Sequence, residues 1–342
     1  MFRWCHSFLV LLIFLFQVEQ AICMPNHSAY LFAYFTGEGL QNGEQVYFAL
    51  SEANDPLEWR ALKGGHPVLV SNVGTKGVRD PYLIRSYDGS KFWLLATDLK
   101  MYKSGMSWDT SQRQGSKSIL IWESSNLLDW QGPRLVKIAP DTAGNTWAPK
   151  AIYDSSSNEY HVFWASSLYP AGNSNHNGST YHRIMRATTK DFITFSPATV
   201  HIDSGHSVID AGVVYDESSS KFYRFSKDER SNGVGEGKSV DGKFIVQEVS
   251  DGVTGKWTDV KVGIGKGSIK QGEGPLVFKN NLQNDKWHLF IDEFGGRGYV
   301  PFETTDIYRA SWKPSNNFTL PKPCRHGSVI PITEEKRKFI AS

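Results

Sequence analysis

Cysteine is scarce in this chain. Cys5, Cys23 and Cys324 are its only three in 342 residues, too few for a disulfide framework, so a core must hold the fold. No group of His and Cys has metal-ligand spacing, and no catalytic metal is expected. Lys and Arg form no block and the formal net charge is only +2, which argues against a nucleic-acid or anionic-membrane partner. Gly-x-Ser-x-Gly in a strand–helix setting is missing, which weakens serine hydrolysis. Gly233-Val234-Gly235-Glu236-Gly237 lacks the Lys-Ser/Thr partner of a phosphate loop and reads as a hairpin or surface loop.

Long apolar runs are also missing, apart from the nine residues Phe8 to Phe16. At about 20 residues per membrane span, that run is too short to cross a bilayer. It follows Arg3 and precedes Ala21-Ile22-Cys23, so residues 1–23 read as a secretory signal and 24–342 as an extracellular protein with no membrane partner. Cys5 would leave with the signal. Cys23 would survive only if cleavage fell after Ala21, and could then pair with Cys324. Sequons at Asn26, Asn177 and Asn317 fit a secreted glycoprotein.

What the chain has in quantity is aromatic residues and glycine: 11 Trp, 14 Tyr, 20 Phe and 31 Gly, a balance that favours many short strands and tight turns. One hairpin recurs. Asp80 to Asp98 reads as two strands around Asp88-Gly89. The pattern returns at 149–166, 210–228 and 273–292. Outer strands follow, such as Ile119 to Ser125 before Leu128-Asp129-Trp130, and Ile184 to Thr188 before Phe192. An N-terminal relative pairs Tyr30–Phe35 with Val46–Glu52 and ends in Leu57-Glu58-Trp59. Five four-stranded units at this stride predict an all-β, five-bladed propeller forming one domain. Ser328 to Ile332 would join the N-terminal unit and close the ring, which removes exposed edges. A β-sandwich is the other architecture considered, but it does not explain the stride.

Three acidic residues open these units: Asp80, Asp210 and Glu273. The last two lie about 63 positions apart and the first two about 130, near twice that stride. If each unit starts at a common axis, the carboxylates converge. Carboxylates flanking a bond are the machinery of glycoside hydrolysis.

With these openers the chain resembles glycoside hydrolase family 43 over about residues 28 to 334. The resemblance implies a five-bladed propeller and inverting cleavage of arabinofuranosides, xylosides or galactosides, with an oligo- or polysaccharide as substrate. Asp80-Pro81 matches the segment that supplies the general base. Asp210 matches the acid that raises and orients the general acid, and Glu273-Gly274-Pro275 matches the general acid itself. Glu273 would need its proton near neutral pH, through burial or a carboxylate neighbour. Trp147-Ala148-Pro149 matches the second-blade opener, with Lys150 where many members carry an acid, a departure that leaves the substrate class open. Arg325-His326-Gly327 matches an element whose His sits beside an ion or water on the axis; no cofactor is implied for the chemistry.

Further binding residues are expected at Trp147, as a ring facing the sugar, and at Arg297 on the Gly-rich loop after the fourth hairpin. Asp98 and His326 complete the set, each with a structural role as its alternative. The finer expectation is an α-L-arabinofuranosidase acting on arabinogalactan side chains. Two other functions compete. A retaining, invertase-type fructosidase would use Asn54-Asp55-Pro56 with Arg79-Asp80-Pro81, although Glu273 precedes Gly rather than Cys. A carbohydrate-binding propeller without catalysis is the third.

Overall fold

Every sheet in the computed structural model has four antiparallel strands, and five such sheets form a ring. Residues 26–231 and 242–341 are described. The hairpin loop expected at 233–237, the signal at 1–23 and Cys23 lie outside them. Cys324 is buried and has no disulfide partner among the described residues.

Blade I comprises Val78–Arg85, Phe92–Asp98, Ser118–Ser124 and Gln131–Lys137. Blade II comprises Trp147–Asp154, Glu159–Ser167, His182–Thr189 and Thr199–Ile202. Blade III comprises Val208–Asp216, Lys221–Asp228, Ile245–Ser250 and Thr258–Ile264. Blade IV comprises Glu273–Lys279, Trp287–Glu293, Gly298–Thr304 and Lys313–Pro314. The closing blade takes its innermost strand, Arg325–Thr333, from the end of the chain and His27–Phe35, Tyr47–Ser51 and Trp59–Ala61 from the start. Thus the expected five-bladed propeller is present, with the ring closed by pairing of Arg325–Thr333 with His27–Phe35.

The blades hold together because each sheet has two apolar faces, so each must bury both against neighbours. Five apolar clusters fill the five junctions. The aromatic that follows each third strand is the recurring wedge. Trp59, Trp130, Phe192, Trp257 and Trp312 each pack back onto the preceding blade. Phe192, for example, meets Trp93 at 4.6 Å and Tyr160 at 4.9 Å between ring centroids. Truncating such a residue to Ala costs about 3–5 kcal/mol.

The innermost strands begin irregularly, and this positions the site. In blades I to IV two residues there face one on the neighbouring strand: Asp80-Pro81, Ala148-Pro149, Asp210-Ala211 and Gly274-Pro275. The first of each pair is left-handed, with φ of 53° at Asp80, 50° at Ala148, 59° at Asp210 and 54° at Gly274. In the closing blade the extra residue is His326, between the pairs Phe35–Arg325 and Tyr34–Gly327. Such a bulge bends the strand and re-aims its side chains.

Candidate active site

The bulges build two rings of side chains at one mouth of the axis. The inner ring is Asp80, Ala148, Asp210, Gly274 and His326, and one residue earlier on each strand stand Arg79, Trp147, Ile209, Glu273 and Arg325. The three acidic openers therefore do not occupy equivalent positions. Glu273 stands one residue ahead of Asp80 and Asp210, and Gly274 takes their place in blade IV. Glycine is needed there because a Cβ would lie 2.5 Å from the His326 ring.

All three carboxylates do converge. They line a cavity of about 640 Å³ together with Trp147, Trp108 and His326, a size suited to a small ligand. His326 is at its centre. Nδ1 stands 2.9 Å from Oδ1 of Asp80 and 3.9 Å from Oδ2 of Asp210, while Nε2 stands 3.0 Å from Oε1 of Glu273 and 3.4 Å from Oδ2 of Asp292. Burial alone would lower the His326 pKa, but Asp210, Glu273 and Asp80 outweigh it and raise it to about 10. The ring is therefore an imidazolium at neutral pH. Asp210, Glu273 and His326 bring side-chain nitrogen and oxygen atoms within 4.8 Å of one another.

Each carboxylate has its own surroundings. Asp80 accepts from the Thr97 hydroxyl at 2.6 Å, and Thr97 accepts in turn from the Ala148 N–H at 2.8 Å. Burial would raise Asp80, but His326, Arg79 and Thr97 together hold it below the usual range. Asp210 accepts the Gly274 N–H at 2.9 Å. Burial, then Glu273 and Asp80, raise its pKa against the pull of His326 and Lys150. Glu273 binds Arg325 Nη2 at 2.5 Å through Oε1 and Lys227 Nζ at 2.7 Å through Oε2. Burial raises it, yet His326, Lys227 and Arg325 carry it well below the ordinary glutamate value. This reverses the expectation from sequence. Asp210, not Glu273, is the carboxyl pushed up, because three cations surround Glu273.

The other expected residues divide. Trp147 lines the cavity, stacked on His182 at 5.2 Å and edge-on to Trp108 at 6.2 Å, so an aromatic wall faces the carboxylates. Arg297 does not reach the cavity: its Nε pairs with Glu293 at 2.6 Å, and its Nη2 donates to the Ser268 carbonyl. The guanidinium beside Glu273 is that of Arg325. Asp98 is buried and accepts the Thr75 N–H at 2.7 Å and hydroxyl at 2.8 Å, which makes it a loop anchor rather than a sugar ligand. Lys150 points away from the cavity and donates to the carbonyls of Asp210 at 3.0 Å and Pro275 at 2.6 Å. Burial lowers its pKa to about 8.

Sequence reasoning missed Lys227, Glu229 and Lys243, which also line the cavity. One signal existed. Tyr223, Phe225 and Lys227 share a face of their strand by alternation, and a lysine on the buried face needs a carboxylate partner.

With this geometry in view, the matches to known proteins are informative. A family model described as "Probable glycosyl hydrolase domain", related to glycoside hydrolase family 43, matches residues 26–338. The chain belongs to this family. It is 31% identical over 322 residues to an alpha-L-arabinofuranosidase of Bifidobacterium longum subsp. longum, covering 86% of this chain but 29% of that protein. Among solved structures, a thermostable family-43 glycoside hydrolase aligns at 18% identity and a TM-score of 0.49, over 73% of this chain and 76% of that one. An exo-beta-1,3-galactanase of Phanerochaete chrysosporium with beta-1,3-galactotriose aligns at 16% identity and a TM-score of 0.47, over 71% of this chain and 52% of that one.

Proposed function

We propose that this protein is an inverting α-L-arabinofuranosidase. Asp80 is the general base, Glu273 the general acid, and Asp210 the carboxylate that orients the acid and opposes its ionisation. The observation that carries the reading is the arrangement about His326. Asp80 and Glu273 face opposite nitrogens of one ring, at 2.9 and 3.0 Å, beneath an aromatic wall. Their oxygens are then at most about 8 Å apart, below the upper limit of roughly 9.5 Å for an inverting pair. The water loses a proton to Asp80 as it attacks the anomeric carbon, and Glu273 protonates the departing oxygen. To complete the cycle, one proton passes along the hydrogen bond from Nε2–H of His326 to Oε1 of Glu273, and His326 regains a proton from solvent as Asp80 releases the one it took from the water.

The similarity to a named arabinofuranosidase supports the sugar, and side chains of arabinogalactan or related plant polysaccharides fit that chemistry. The apolar run behind Arg3 supports action outside the cell. The retaining alternative has less support. Asp55 is exposed and accepts the Leu57 N–H at 2.9 Å in an outer turn, far from any role opposite Asp80.

The test is a set of aryl arabinofuranosides, xylosides and galactofuranosides, with the first product anomer identified by NMR. Asp80→Asn should lower kcat by about 10²–10⁴-fold on every substrate. Glu273→Gln should do so only where the leaving group is poor. A product of retained configuration, or equal small losses in both variants, would reject the assignment.

A further inference from the structure

Lys227 lies 2% exposed inside blade III, with its ammonium 4.2 Å from the centre of the Phe294 ring. Its Nζ is shared: Oε2 of Glu273 at 2.7 Å and Oε1 of Glu229 at 2.5 Å. The second oxygen of Glu229 meets Lys243 at 2.5 Å. Glu229 lines the same cavity as Glu273 and is the more open of the two, with side chains 22% and 13% exposed. A buried ammonium thus stands between a carboxylate that must change protonation and one that need not.

We propose that Lys227 and Glu229 are positioning residues that set how tightly Glu273 holds its proton, by dividing one positive charge between two carboxylates. This deepens the glycosidase reading and rests on it. The argument is electrostatic. Glu273 is faced by Arg325 and His326 from the closing blade, by Asp210 and Lys227 from blade III and by Asp292 from its own blade. Arg325 is itself shared with Asp292 and Glu38, and His326 with Asp80, Asp210 and Asp292. Lys227 differs in how closely it holds its second partner: Glu229 lies at 2.5 Å, whereas Arg325 reaches Glu38, the other carboxylate of the cavity outside the axial group, at 3.4 Å. Charge drawn toward Glu229 is charge withdrawn from Glu273. An unpaired Glu273 takes a proton more readily, since an opposite charge within about 4–6 Å favours the ionised form. The signs follow. Removing the lysine should raise the pH at which Glu273 ionises. Removing the charge of Glu229 should lower it, because Lys227 then serves Glu273 alone. A purely structural pair would not shift Glu273 in opposite directions.

The experiment is an NMR titration of protein carrying ¹³C-carboxyl glutamate, with the Glu273 signal identified by its loss in Glu273→Gln. In Lys227→Met the Glu273 midpoint should rise by about one to three pH units. In the double variant Lys227→Met/Glu229→Gln, which keeps the local charge balance and guards against a failure to fold, it should rise by less. On aryl substrates with poor leaving groups, the basic limb of the pH–rate profile should move up in Lys227→Met and down in Glu229→Gln. A Glu273 midpoint within about half a pH unit of wild type in both lysine variants would overturn the proposal, as would a double variant at or above the single one. The titration needs no substrate, so it judges the ion pair even if the wild type hydrolyses nothing, a result that would instead reject the glycosidase reading.

Discussion

The same five innermost strands line both mouths of the central channel, but the mouths differ. Where the strands start, their bulges gather Asp80, Asp210, Glu273, Arg325 and His326 around about 640 Å³. Where the strands run on, a larger cavity of about 900 Å³ is walled by residues such as Leu83, Ile152, Val213, Leu276 and Ile330. Lys150 lies between, its ammonium tied to carbonyls of blades III and IV. Size is therefore a poor guide to chemistry here. A regular strand alternates its side chains between the two faces of its sheet, into the junctions between blades. A bulge breaks that alternation, and it allows charged side chains from several strands to meet on the axis.

The sharpest test of that contrast is Gly274→Ala. The added carbon would lie 2.5 Å from the His326 ring. Hydrolysis should fall by about 10²-fold or more, since small misplacements near the chemistry cost that much. An equally small side chain added at Gly89, which has open space around it, should leave the rate unchanged; steady-state kinetics on both variants checks this.

Asp210→Asn should act less strongly and in a way that reads the electrostatics. Glu273 and Asp210 repel, so removing the Asp210 charge lowers the Glu273 pKa further. The acid then loses its proton at lower pH, and the basic limb of the pH–rate profile moves down by about one unit, about tenfold in rate on that limb. A limb that stays in place would remove Asp210 from this role.

The smallest catalytic effect is expected at Lys150→Met, because the ammonium faces away from the cavity. The variant should lose about 1–3 kcal/mol of stability in a denaturant titration, as two buried carbonyls lose a donor, while kcat/KM changes by less than about threefold. A larger kinetic loss would mean that the two mouths are not independent.

Much of this arrangement was legible in the sequence because strand openers carry Pro and Gly signals that survive without coordinates. Asp80-Pro81, Trp147-Ala148-Pro149 and Glu273-Gly274-Pro275 mark the bulges directly. Their register was not legible. Whether an acid stands at the bulge or one residue before it depends on pairing with a neighbouring strand, and that is why Glu273 seemed equivalent to Asp210. Arg297 misled for a similar reason. Its loop follows the right hairpin, but Glu293, four residues earlier, captures the guanidinium. The ionisation of Glu273 was hidden altogether, since it depends on Lys227, 46 positions away, and on Arg325, 52 positions away.

The ring closure has a consequence in time. Asp80, Asp210 and Glu273 are all translated before Arg325 and His326, the two residues that hold Glu273 and link it to Asp80. Four blades can have left the ribosome while the site still lacks its central imidazole. The strand Arg325–Thr333 must then find His27–Phe35, a partner made at the other end of synthesis. Such distant pairings form slowly. A nascent chain that lacks the Arg325–Thr333 strand thus carries the acidic residues without their organising cation.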